Sequence, residues 1–135
     1  MKKNLPTLIF PLLILMLISM ACGGSISTAN IADAWMAADD AGSNRTTTFS
    51  QDTPAFYALV DLKNAPDDTV LRAVWIAESV EGAEPGFVID ESELVIGSTI
   101  AHFSLENDNL WPLGQYKVDL YLNDDLAETL TFEVR

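Results

Sequence analysis

The chain offers few side chains able to do chemistry, and their spacing decides what that chemistry can be. Cys22 is the only cysteine and His102 the only histidine among 135 residues. One imidazole cannot build a multi-histidine metal site, and a thiolate–imidazole pair would need Cys22 to belong to the folded part of the chain. His102 stands between Phe103 and Ala101 in an alternating run, on the outward side with Ile100 and Ser104. It is expected to be solvated, with Asp61 across from it as an ion-pair partner. A Ser-His-Asp centre would require a poised serine, and no Gly-x-Ser-x-Gly turn occurs.

Carboxylates are plentiful. Asp39 with Asp40, residues 106–109 and residues 123–125 supply the oxygens that calcium prefers, but none has the spacing of an EF-hand loop. Turn chemistry accounts for Asn and Asp at all three places. Asp90, Glu91 and Glu93 could mimic the paired carboxylates of a glycosidase, yet residues two apart on a strand share a face through the pleat alone. Trp35, Trp75 and Trp111 invite sugar stacking; packing in a core or at a corner is the expected use of at least two of them. No catalytic residue, metal ligand or cofactor is expected.

What Cys22 does depends on what precedes it. Lys2 and Lys3 lead into a nearly continuous apolar run, residues 5–20, and then into small residues. This is the basic, greasy and cleavable order of an export signal. Pro6 and Pro11 would kink a permanent spanning helix. The run Ser19-Met20-Ala21-Cys22 resembles the lipobox of bacterial lipoproteins. That resemblance implies a diacylglyceryl group on the Cys22 sulfur, and cleavage that leaves this residue as the N-terminus. Ser19 departs from the usual aliphatic at its position, and Ser-Met-Ala also fits ordinary secretory cleavage. A lipidated Cys22 makes the bilayer itself a partner, each buried methylene contributing about 0.8 kcal/mol. The expected organisation is a signal peptide over residues 1–21, the lipidated cysteine and a flexible tether over 22–30, and one domain over 31–135.

Removing residues 1–21 takes away two lysines and no acid, so the formal charge falls from −13 to −15. Such a surface repels phosphate backbones and excludes a nucleic-acid partner. With one cysteine there is no internal disulfide, and folding must rest on packing.

The elements that must carry these residues read as strands, because the apolar period changes to two after the small, polar residues 23–27. Residues 31–38 and 46–49 form a split first strand around the turn-prone Asp39-Asp40-Ala41-Gly42. Phe56, Ala58, Val60 and Leu62 share a buried face against Tyr57, Leu59, Asp61 and Lys63. Leu71, Ala73, Trp75 and Ala77 do so against Arg72, Val74, Ile76 and Glu78, with Trp75 as core plug. Residues 87–96 and 99–105 are two more strands divided at Gly97-Ser98, the second burying Ala101, Phe103 and Leu105. Tyr116, Val118, Leu120 and Leu122 face inward before the turn at residues 123–125, and Leu130, Phe132 and Val134 close the core.

About seven short strands with turn-rich loops argue a β-sandwich. The runs APDDTVLRAVWIAE and WPLGQYKVDLYLNDDLAETLTFEV are similar to immunoglobulin-like domains of bacterial surface lipoproteins, in which a Trp-Pro-x-Gly-x-Tyr corner precedes the penultimate strand. The resemblance implies an all-β, immunoglobulin-like domain and says little of function. On the outer face, Val74, Ile76 and Tyr121 are expected to lie together; exposed aliphatics beside an aromatic can mark a partner site, and ordinary sheet-surface residues are the favoured reading of the same pattern. The expected role is that of a non-enzymatic binding or assembly module, lipid-anchored on the extracytoplasmic face of the cell membrane, with an envelope protein as partner. The alternatives are a calcium- or small-ligand-binding envelope domain and an accessory domain of a hydrolase system.

Overall fold

The computed structural model describes residues 27–135. The expected signal peptide, Cys22 and the first part of the expected tether lie outside the described residues.

Eight strands make up the domain: β1 (Asn30–Ala37), β2 (Thr48–Phe49), β3 (Ala55–Lys63), β4 (Thr69–Val80), β5 (Phe87–Ile96), β6 (Thr99–Glu106), β7 (Gly114–Leu122) and β8 (Asp125–Val134). They form one sheet in the order β1-β3-β6 and a second in the order β2-β8-β7-β4-β5. All neighbours are antiparallel except β2 and β8, which run parallel. This is the expected immunoglobulin-like sandwich. The eighth strand comes from the split first strand, whose two parts join different sheets: β1 lies on β3, and residues 38–47 carry the chain across to place β2 beside β8.

The period of two is realised as burial. Phe56, Ala58, Val60 and Leu62 of β3 face Leu71, Ala73, Trp75 and Ala77 of β4 across the core, with Ala101, Phe103 and Leu105 of β6 completing it. Trp75 is 1% exposed and meets the ring of Phe132 edge-on at 6.2 Å. Phe56 is the hub of the aromatic packing, 4.8 Å from Phe49, 4.9 Å from Phe132 and 4.3 Å from Trp111.

The corner between β6 and β7 is built as its sequence suggests. Tyr116 donates its hydroxyl to the carbonyl of Pro112 at 2.6 Å, and the Trp111 indole donates to the carbonyl of Thr53 at 2.6 Å. In antibody-type domains the residue two beyond such a tyrosine is a disulfide cysteine. Here that place is taken by Val118, fully buried, so apolar packing replaces the covalent link.

Two side chains assigned to the outside are covered. Leu59 is 1% exposed because residues 39–44 fold back over it: the Trp35 indole donates to the carbonyl of Gly42 at 3.0 Å, and a Cβ on Gly42 would come within 2.7 Å of Leu59 Cγ. Gly42 also has φ +76°, which a side chain would strain. Val74 is the other, discussed below.

The strands define two ends. At one lie the turns at residues 64–68, 97–98 and 123–124, tied together by Ala65 N–H donating to Ser98 Oγ (2.9 Å) and Val70 N–H donating to Asn123 Oδ1 (3.0 Å). Asn123 and Asp124 both have positive φ, 48° and 71°, the two-residue hairpin geometry for which Asn and Asp are suited. The chain arrives at this same end. Thr28 donates to the carbonyl of Asn64 at 2.7 Å and Asn123 Nδ2 donates to Ser27 Oγ at 3.3 Å, so the last residues of the expected flexible tether are docked on the domain. At the opposite end are the loops at residues 50–54, 81–86 and 107–113.

Candidate functional site

His102 does point outward from β6, but the register places it across from Leu59, and Asp61 is across from Ile100. The expected ion pair is therefore offset by two residues. Asp61 turns instead to Lys63, 3.4 Å away on its own strand.

The three oxygen-rich clusters do not converge. Residues 106–109 sit at the loop end, where Asn107 N–H donates to the Pro54 carbonyl, whereas Asn123 sits at the turn end. Asp39 serves its own loop: its carboxylate accepts from Ser43 Oγ (2.7 Å), Asn44 N–H (2.8 Å) and Ser43 N–H (3.2 Å). The Ser43 hydroxyl and then the Asn44 amide hold its pKa below the usual carboxylate range. Among the described residues no group of three His, Cys, Asp or Glu side chains is placed to hold a metal ion. Asp90 accepts from the N–H of Glu91, and Glu91 meets Arg72 at 3.4 Å, so these carboxylates make local strand contacts. Trp75 and Trp111 are buried; Trp35 stacks under the Arg45 guanidinium at 3.9 Å on the outer face.

Val74, Ile76 and Tyr121 lie on one face of the larger sheet, among charged neighbours. Arg72 is paired with Tyr121, Val74 with Asp119 and Ile76 with Lys117. Arg72 stacks 4.2 Å from the Tyr121 ring, and Asp119 accepts from Thr129 Oγ1 at 2.9 Å. Within this polar lattice Val74 is only 7% exposed. Long charged side chains lie along an apolar strip and cover it, so Val74 is a buried residue of the outer face and offers little surface. Ile76 and Tyr121 remain half-buried.

The feature that alternation alone does not reveal lies at the loop end. A cleft of about 270 Å³ opens where the two sheets part, lined by Ala77, Ala83, Phe87, Ile89, Leu105 and Trp111, with Glu106 and Asn107 at its lip. Two alanines leave the space, and the β4–β5 register shift after Trp75 turns the strand at Ile89. Phe87 is 56% exposed and Val88 50%. The sequence carries a trace of this: Phe87-Val88-Ile89 is an unbroken apolar triplet where a half-buried strand should alternate.

No family model and no curated protein matches the chain. Among solved structures it is similar to an immunoglobulin-like protein from Pseudomonas aeruginosa, with 17% identity and a TM-score of 0.57 over 83% of this chain and 100% of that one. It is also similar to part of a Pseudomonas fluorescens alkylpurine DNA glycosylase bound to DNA containing an abasic site analogue. That match has 12% identity and a TM-score of 0.52, and covers 87% of this chain and 33% of that chain. Both likenesses are of fold, which does not carry activity with it. The chain is an all-β, immunoglobulin-like sandwich.

Proposed function

We propose that this protein is a lipid-anchored, non-enzymatic binding or assembly module of the cell envelope, held to the membrane through Cys22 with its domain on the extracytoplasmic side. The observation that carries the reading is the polarity of the sandwich. Ser27 and Thr28 are bonded at the turn end, a few residues after Cys22, and the apolar cleft opens at the other end. A domain tethered in this way directs its cleft away from the bilayer, where a soluble or envelope-bound partner can reach it. The strongly acidic composition supports a protein partner over nucleic acid or anionic lipid.

The anchor is tested by expressing the parent and Cys22→Ser chains in a bacterium with radiolabelled palmitate. The parent is expected in the membrane fraction and labelled, and the variant unlabelled and released. An unlabelled parent, or a variant that stays with the membrane, overturns the anchor. Crosslinking in intact cells followed by mass spectrometry identifies the partner.

A further inference from the structure

β5 and β6 are the terminal strands of different sheets, joined by the short turn at Gly97-Ser98, so they border the same side of the sandwich. β5 pairs with β4 on one side only and presents its other backbone edge to solvent. Beyond the irregularity near Ile89, residues 90–96 keep a regular register and contain no proline. A free edge of that kind is a template for another strand.

The charges on the edge decide which strand. Glu91 and Glu93 project from the outer face opposite Val74 and Arg72, and among the described residues the one ion pair made by either is Glu91 with Arg72, at 3.4 Å. A second copy pairing antiparallel and centred on Ser92 would set Glu91 of one chain against Glu93 of the other, and centring on either glutamate would set it against itself, like-charge oppositions that disfavour self-association. A strand carrying Lys or Arg on that face is favoured instead. The cleft lies at the start of the same strand, through Phe87 and Ile89. Its volume falls just under the roughly 300–1,000 Å³ of pockets for whole small ligands, and it suits one large apolar side chain.

We infer that the β5 edge and the adjoining cleft take an extended basic segment of another protein, which adds as a strand with Lys or Arg against Glu91 and Glu93 and anchors one large apolar side chain beside Trp111. This rests on, and deepens, the reading of the domain as a binding module. The partner's main chain supplies the hydrogen bonds, its charges set the register, and its anchor supplies apolar burial.

The probe is a ten-residue peptide alternating lysine and valine with one phenylalanine near each end; the control has glutamate for every lysine. Both are added at low salt to the isotope-labelled full chain in detergent. The lysine peptide is expected to slow amide exchange across residues 90–96 and to shift the Trp111 indole resonance, and the glutamate peptide to do neither. The double variant Glu91→Lys with Glu93→Lys should weaken binding at least tenfold, and Ala83→Leu, which fills the cleft, should do so with the spectrum elsewhere unchanged. Equal binding of both peptides, protection elsewhere than β5, or no binding overturns the inference. None of these outcomes alters the fractionation of Cys22→Ser, so failure of the edge and failure of the anchor are read separately.

Discussion

The hydroxyl of Tyr116 donates to the carbonyl of Pro112, 2.6 Å away, at the corner where the chain leaves the three-stranded sheet for the five-stranded one. The bond satisfies a polar atom that the core would otherwise strand, so Tyr116→Phe should cost about 1 kcal/mol and lower Tm by roughly 4 °C in calorimetry. Burial pushes the Tyr116 pKa from 10 to about 12. An unfolded chain ionises this phenol near pH 10, whereas the folded one resists until about pH 12. Its contribution to stability is therefore complete below pH 10 and is lost as pH rises through 12. Tyr116→Phe should show a shallower fall in Tm between those limits, and identical slopes would count against the burial effect.

Trp75 fills the centre between β3 and β4 with no disulfide to share the load. Trp75→Ala should destabilise by about 3–5 kcal/mol, measured as a lower denaturation midpoint in urea, because the surrounding strands cannot collapse onto the gap.

The outer face of β4 separates a covered residue from a stacked one. Val74→Asp would bury a carboxylate between Asp119 and Glu91 and should cost on the order of 3 kcal/mol. Tyr121→Ala removes only the stack on Arg72 and should cost about 0.5–1 kcal/mol. Equal losses in the two unfolding curves would mean that Val74 is not covered in solution.

Asp39 organises the loop that lies over Leu59. Asp39→Ala should speed hydrogen exchange at the Ser43 and Asn44 amides, which donate to its carboxylate, and leave the amides of β4 and β7 unchanged. Exchange rates at Ser43 and Asn44 equal to those of the parent would show that the loop is held by Trp35 and Gly42 alone.

β3, β4, β6 and β7 were legible because one face of each is buried, and burial writes a period of two into Phe56-Ala58-Val60-Leu62 and Tyr116-Val118-Leu120. The corner was legible from Trp111, Gly114 and Tyr116 together. Gly114 has φ +145° and lies so close to the backbone of Ser79 that no side chain fits. Leu59 and Val74 escaped the pattern because what covers them is a loop in one case and neighbouring polar side chains in the other, neither visible in a strand's own alternation. The offset of His102 from Asp61 reflects a register that hydrophobic periodicity leaves free by any even number of residues. The cleft left only the broken alternation at Phe87-Val88-Ile89 as a trace, because the space itself comes from the absence of bulk at Ala77 and Ala83, and missing volume has no period.

The parallel pairing of β2 with β8 has a mechanical consequence. Residues near Ser27 are docked at one end of the sandwich, and Arg135 follows β8 at the other, where its N–H donates to the Phe49 carbonyl at 3.0 Å while Glu133 N–H donates to Thr47 at 2.9 Å. Tension between a membrane anchor and a load at the C-terminus would run along the strands, so these bonds would be sheared side by side instead of unzipping in turn, and a short patch would resist pulling far beyond its size.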